Sequence, residues 1–134
     1  MKQKEVASKL NVTENNYSKW ERGITDIPLD KVNDIANLYN CSLDYLFCLT
    51  DNNMKTDRKT IDLKLLSKRL LELRKSKKLT QEQLSDYIGY HQRVYAHYEM
   101  GNRIPTIFKV YYVALYYKIS LDYLVGRKDD MKIK

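Results

Sequence analysis

The chain has 134 residues, which is enough for one ordinary domain or two small ones. At 43% apolar and 31% charged residues, it is a folded globular protein and not a disordered one. Four glycines and two prolines are too few for a sandwich or barrel, and no apolar run is long enough for a membrane span or a secretory signal. The net charge of +7 favours a polyanionic partner, although it is also compatible with a role in solubility alone.

The strongest pattern is an internal repeat with an offset of 78 residues. The segment at 42–46, Ser-Leu-Asp-Tyr-Leu, recurs at 120–124. Single residues recur at the same offset: Gln3 as Gln81, Tyr17 as Tyr95, Glu21 as Glu99, Gly23 as Gly101, Val32 as Val110, Ala36 as Ala114 and Tyr39 as Tyr117. The chain therefore contains two copies of one unit.

Taken in chain order, the apolar spacing and the capping residues predict short helices and no strand, so the expected fold class is all-α. In the first repeat the predicted helices are Gln3 to Leu10, Thr13 to Arg22, Leu29 to Tyr39 and Ser42 to Cys48. A further helix is predicted from about Ile61 to Lys77. In the second repeat a helix begins at the capping box Thr80-Gln81-Glu82-Gln83 and ends at Gly89, a second runs from about His91 to Met100, a third opens at Pro105-Thr106, and Ser120 caps the last.

These elements predict three segments: a truncated repeat at 1–50, a polar linker at 51–60 and a complete five-helix unit at 61–128. The first repeat has no counterpart of the Ile61 to Lys77 helix, which leaves its core open at Val6, Leu10, Trp20 and Ile35. We expect this helix, or the same segment of a second chain reached through a flexible linker, to fill the gap.

Two short helices with this spacing, the first opening on Gln and the second ending in Glu-x-Gly, resemble the helix-turn-helix of the Cro/CI-type (XRE) repressor family. The residues that carry the resemblance in the second repeat are Gln81, Leu84, Ile88, Gly89, Val94, Tyr98, Glu99 and Gly101. The first repeat matches from the second helix onward. The resemblance implies two lambda-repressor-like domains in tandem that bind double-stranded DNA.

The resemblance also implies which side chains meet the DNA, because the second helix of the motif reads base edges in the major groove. Carried over by position, the reading residues of the second repeat are Gln92, Arg93 and His97, flanked by His91 and Tyr95. The first-repeat positions are Glu14, Asn15 and Lys19, with Thr13 and Ser18 beside them, and Gln3 and Gln81 are the phosphate-binding glutamines.

The two repeats differ in charge. Residues before Met54 carry six basic and eight acidic side chains, a net charge of −2, so the remainder carries +9. The basic residues are densest at Arg74, Lys75, Lys77 and Lys78, which we interpret as phosphate contacts. The second repeat is expected to bind DNA more strongly. For the first repeat, a weak DNA reader and a DNA-inert protein-interaction module remain alternatives.

The helix that follows Pro105 is apolar on a second face. Phe108, Tyr112, Leu115 and Tyr116 lie at helical spacing beside its inner stripe, where the first repeat has mostly polar residues. We expect these four side chains to be buried in a contact, either in a homodimer or against the first repeat.

The sequence therefore predicts a sequence-specific DNA-binding transcriptional regulator, and in particular a repressor. The alternative is a protein-interaction module, such as an antitoxin or an adaptor, in which one repeat no longer binds DNA. No catalytic constellation, metal site or cofactor motif is present in the sequence, so an enzyme is not predicted. The two cysteines, Cys41 and Cys48, form no disulfide framework and predict buried, inert thiols in a cytoplasmic protein.

Overall fold

The structure is a computed structural model that describes residues 2–22, 26–53 and 55–133. Within these ranges every regular element is a helix, which confirms the predicted all-α class. No helix there is long and apolar enough to cross a membrane. The helices are α1 (Gln3–Leu10), α2 (Glu14–Glu21), α3 (Leu29–Leu38), α4 (Leu43–Leu46), α5 (Leu63–Ser76), α6 (Gln81–Ile88), α7 (Gln92–Met100), α8 (Ile107–Tyr117) and α9 (Leu121–Leu124).

Local chemistry sets the bounds of α6 and α7. The Thr80 hydroxyl accepts from the Gln83 amide at 3.1 Å while the Gln83 side chain accepts from the Thr80 amide at 2.9 Å, so the predicted capping box forms. Gly89 and Gly101 end α6 and α7 with φ of 83° and 75°, a conformation that strains residues with a Cβ. The predicted boundaries of the motif are confirmed to within a residue or two. Gly23, the counterpart of Gly101, lies outside the described residues.

The core of the second repeat is closed by α5, which packs on α7 and α9 through Leu66, Leu70 and Leu73. The expectation that this helix also covers the first repeat is wrong, because its apolar side is used within its own repeat. Val6 and Ile35 are nevertheless buried, in a small cluster that α1, α2 and α3 form among themselves.

The two repeats are joined through α4 and α9, and each helix is capped by a carboxylate of the other repeat. The backbone amides of Leu43 and Asp44 both donate to Asp122 at 2.9 Å. In return, the amide of Leu121 donates to Asp44 at 2.6 Å, and the Ser120 hydroxyl donates to the same carboxylate at 2.5 Å. A carboxylate near a helix N-terminus is stabilising, and here that stabilisation depends on the two repeats being together.

The two repeats also meet at a second contact. Pro28 and Thr106, which occupy equivalent positions in the two repeats, form an antiparallel bridge, and the Ile107 amide donates to the Ile27 carbonyl at 2.9 Å. Asp26 accepts hydrogen bonds from the Thr106 hydroxyl and, at 3.1 Å, from the backbone amide of Phe108. Because equivalent residues meet one another at both contacts, the repeats are related by an approximate two-fold axis.

The segment between the repeats contacts α3 in its described part. The Lys59 carbonyl accepts from the side-chain amides of Asn33 and Asn37 at 3.1 and 2.7 Å, and the Lys59 amide donates back to Asn37 at 2.9 Å. The amide of Thr56 donates to the Asn40 carbonyl at 3.0 Å. Residues 55–60 therefore lie along the first repeat and are hydrogen-bonded to it at Thr56 and Lys59. This part of the predicted flexible linker is ordered against α3 and the residues that follow it.

The second apolar face of α8 is largely solvent-exposed. Phe108 is partly buried against the core, but the exposed fractions of Tyr112, Leu115 and Tyr116 are 46%, 44% and 37%. The expectation that these three side chains are buried against the first repeat is therefore wrong. The first repeat instead reaches a neighbouring part of α8, where the ring of Phe47 lies 5.8 Å from that of Tyr111. The expected homodimer stays a prediction.

The cysteine environments differ. Cys41 is buried in the core shared by the two repeats, whereas Cys48 is exposed. Burial raises the pKa of the Cys41 thiol, which makes it less reactive. The expectation of buried, inert thiols is right for Cys41 and wrong for Cys48.

The two-fold contact is expected to become less stable as the pH rises from about 4.5 to 7. Burial raises the pKa of Asp44 from 3.8 to about 6, with a further contribution from Asp122, so the folded chain holds a proton there that the unfolded chain releases. One pKa unit corresponds to about 1.4 kcal/mol of stability. Because Asp44 borders a small cavity and is not fully desolvated, we expect the free energy of unfolding to fall by less than the full shift implies, about 1–2 kcal/mol. Urea unfolding across this pH range measures it. Asp44→Asn has no such titration, so an identical slope in both proteins would contradict the assignment.

Candidate nucleic-acid interface

The predicted recognition helix, α7, presents its first residues to solvent. His91 caps the helix, since its Nδ1 accepts from the Arg93 amide at 3.0 Å. The side chains of Gln92 and Arg93 are exposed and make no ion pair in the described part of the chain. Both side chains can form paired hydrogen bonds to a base edge, glutamine with adenine and arginine with guanine.

The other two predicted residues of α7 lie deeper. His97 is half-buried, and its Nδ1 is enclosed with no hydrogen-bond partner among the described residues. Tyr95 is completely buried, so its assignment to the DNA interface is wrong. It lies three residues before Tyr98 on the inner face of the helix, and burial together with Glu99 raises the pKa of its hydroxyl.

The prediction that Arg74 contacts DNA is also wrong, because its guanidinium forms hydrogen bonds within the repeat. Its Nε and Nη2 donate to the two oxygens of Glu99 at 2.7 and 2.9 Å, and Nη1 donates to the Leu79 carbonyl at 2.9 Å. Gln81 donates to the same carboxylate at 3.2 Å. Burial would raise the pKa of Glu99, but these hydrogen bonds and one from Tyr95 lower it overall. This network ties α5 and the start of α6 to the end of α7.

Arg74→Ala is expected to lower the free energy of unfolding by about 3–5 kcal/mol, because it leaves the buried Glu99 carboxylate without its cation. Lys75→Ala, a change at the neighbouring exposed residue, should alter stability by no more than about 0.5 kcal/mol. Urea titration of both variants measures the difference. Equal, small losses would mean that Arg74 is free to contact phosphate after all.

Three lysines beside α6 are available for phosphates. Lys75, Lys77 and Lys78 are exposed and have no ion-pair partner in the described ranges. They precede the N-terminus of α6, where free backbone amides add partial positive charge. Gln81 is half-buried at this terminus. Its hydrogen bond to Glu99 holds its side chain at the edge of the same surface. These residues form a basic surface around the junction of α5 and α6, where Arg74 and Gln81 contact Glu99 near the end of α7.

The first repeat places its predicted residues in a comparable but more acidic setting. Thr13 caps α2 by accepting from the Asn16 amide at 3.1 Å, and Gln3 donates to Glu21 at 2.6 Å. An open depression of about 430 Å³ brings four of the predicted residues together, one of which is a carboxylate. Its lining residues are Gln3, Glu14, Asn15 and Ser18. Lys19 is half-exposed and lies outside that lining.

Sequence reasoning missed the polar contact between the repeats. Asp44, Asp122 and Arg127 are buried together, with Arg127 Nη1 lying 3.3 Å from Asp122 Oδ1, beside a cavity of about 180 Å³. Burial lowers the pKa of this arginine, although the nearby carboxylates oppose the shift. The repeated Ser-Leu-Asp-Tyr-Leu segment carries the signal, but the sequence assigns it only a local role, the capping of a helix by its serine.

This arrangement of short helices is that of a helix-turn-helix protein. A helix-turn-helix family model matches residues 1–46 and 70–124, which is most of the chain and covers both repeats. The chain therefore belongs to this family, the Cro/CI-type (XRE) helix-turn-helix proteins, which is a family of DNA-binding transcription regulators.

Curated relatives come from Bacillus subtilis (strain 168). The chain is 42% identical over 62 residues to the uncharacterized HTH-type transcriptional regulator YobD, covering 46% of this chain and 55% of that protein. It is 36% identical over 72 residues to the HTH-type transcriptional regulator ImmR, covering 54% and 56% of the two chains. The match thus spans little more than half the length of these relatives. No solved structure matches the chain.

Proposed function

We propose that this protein binds double-stranded DNA at specific sequences and represses transcription by occupying an operator. The observation that carries the proposal is the first turn of α7, where Gln92 and Arg93 are exposed, together with the exposed lysines Lys75, Lys77 and Lys78 around the junction of α5 and α6. Phosphate contacts position a protein on the duplex and base contacts specify the sequence, and these two groups of side chains suit the two tasks. Membership of a DNA-binding family supports the same function.

Arg93→Ala is expected to weaken binding to the preferred sequence by about 1–3 kcal/mol and to relax the preference at one base pair. Lys77→Ala should weaken binding to all sequences alike and lower the salt dependence by about one phosphate contact. Mobility shifts of both variants on the preferred and on scrambled duplexes, across a salt series, separate the two effects.

Lys9→Ala is the matched charge control, since Lys9 is exposed and lines an open depression with Asp34 and Asn37 of α3, whereas Asn15 lines a different one. It should leave sequence preference unchanged. If Arg93→Ala left both affinity and preference untouched, the assignment of α7 as the reading helix would be wrong.

Protein binding is the second candidate, and the exposed face of α8 favours it. Tyr116 stacks on Tyr87 with ring centroids 5.2 Å apart, and both rings remain solvent-exposed next to Tyr112 and Leu115. An aromatic surface of this kind is suited to contact with a second copy of the chain or with another cytoplasmic protein. The acidic first repeat is a further candidate surface for a protein partner. Tyr112→Glu with Tyr116→Glu should abolish a dimer in sedimentation, and a wild-type monomer would exclude one.

A further inference from the structure

We infer that one chain is by itself the two-fold DNA-binding unit, and that it occupies a duplex with two half-sites of different sequence. Repeat 2 places α7 on one half-site, and repeat 1 places α2 on the other. The inference rests on the proposed function and deepens it, because it defines the class of duplex and the number of chains that bind it.

The first support is the symmetry of the internal contact. Asp44 caps α9 while Asp122 caps α4, and Pro28 meets Thr106, so equivalent residues of the two repeats face one another. Such an interface is isologous, the kind that pairs two identical subunits around a two-fold axis. The axis that relates the repeats also relates α2 to α7, the two helices that correspond to the reading helix.

The second support is chain length around the axis. The chain leaves α2 at Glu21 and reaches the contact at Pro28, and it leaves α7 at Met100 and reaches the contact at Thr106. Six or seven residues span at most about 20–25 Å, so each reading helix ends within that distance of the axis. This limit admits the separation of about 34 Å that places two such helices in successive major grooves.

The third support concerns the sequence of the half-sites. At the two leading positions, the first repeat has Glu14 and Asn15 where the second has Gln92 and Arg93, and all four side chains are exposed. Arginine suits guanine, whereas asparagine suits adenine and glutamate suits the amino group of cytosine. The two helices therefore present different hydrogen-bonding patterns, and a perfect palindrome would match only one of them.

Charge assigns unequal tasks to the two halves. The part of the chain before Met54 has a net charge of −2 and the remainder +9, so the second repeat provides most of the phosphate contacts. The first repeat then adds discrimination at its half-site more than it adds affinity. Asn15 lies in the open depression beside Gln3, which is where a base edge and a phosphate would be met together.

The test uses the full chain and a pool of duplexes of about 30 base pairs with a randomised centre, long enough for two half-sites one helical turn apart. Native mass spectrometry of the selected duplexes counts the chains, and hydroxyl-radical footprinting maps the protected stretches. We expect one chain per duplex and two protected stretches of different sequence.

Variants assign each stretch to a helix. Arg93→Ala should reduce discrimination about 5- to 150-fold at one half-site only, and Asn15→Ala should do so at the other only. Lys9→Ala should change neither.

Two results would overturn the inference and leave the proposed function standing. One is two chains bound to identical half-sites. The other is a single protected half-site at which Asn15→Ala has no effect, which would leave the first repeat free to bind protein. A chain that shifts no duplex even at low salt would overturn the proposed function, and the inference with it.

Discussion

Replacing Asp122 with alanine is expected to lower the free energy of unfolding by about 3–5 kcal/mol. The change leaves the buried amides of Leu43 and Asp44 without an acceptor, and it removes the carboxylate that faces the buried Arg127. Both losses fall on the contact between the repeats. Urea unfolding followed by circular dichroism gives the magnitude.

Asp86→Ala is the matched control, because Asp86 is exposed on α6 and forms no hydrogen bond or ion pair with the described part of the first repeat. It should change stability by no more than about 0.5 kcal/mol. Asp122→Asn keeps an acceptor in place and should lose about half as much as the alanine variant. Losses of the same small size for Asp122→Ala and Asp86→Ala would show that the reciprocal caps add little to the fold.

Residues 1–50 expressed alone are expected to show no cooperative thermal transition, whereas residues 55–134 alone should show one. The first repeat keeps only a small cluster of its own around Val6, and Leu29, Val32 and Leu43 belong to a core completed by the second repeat. Exposing each of these side chains costs about 1.5–3 kcal/mol, which a module of about 50 residues cannot offset.

The second fragment should melt below the full chain, since Ile107 and Leu121 lose their cover when the first repeat is absent. Differential scanning calorimetry of the two fragments and the full chain measures all three transitions. A cooperative transition from residues 1–50 would show that the first repeat folds independently and that the shared core is not required.

Local patterns predicted the helices because the chemistry that ends a helix is encoded within a few residues. The capping box at Thr80, the hydroxyl caps at Ser42 and Ser120, and Gly89 and Gly101 at helix ends all formed as expected. The second repeat could therefore be divided into helices from sequence alone. The positions of Gln92 and Arg93 at an exposed first turn follow from the same local information.

Contacts between residues far apart in the chain could not be predicted in this way. The Asp44 and Asp122 carboxylates act on helices more than 70 residues distant, and the repeat of their segment does not by itself show that the two copies pair. A basic run in the sequence predicts that Arg74 contacts DNA, but on α5 its side chain points towards Glu99. Tyr95 was assigned by its position next to reading residues, whereas the helical rotation turns it inward.

The reciprocal capping of α4 and α9 takes place within one covalent chain, so its formation does not depend on how much protein is present. Separate subunits come apart on dilution, whereas the tether holds the two halves at a constant effective concentration. A duplex that takes up one such chain fills along a simple hyperbola as the protein accumulates, without the threshold that dimerisation imposes. The response is then graded, and a small copy number suffices to begin it.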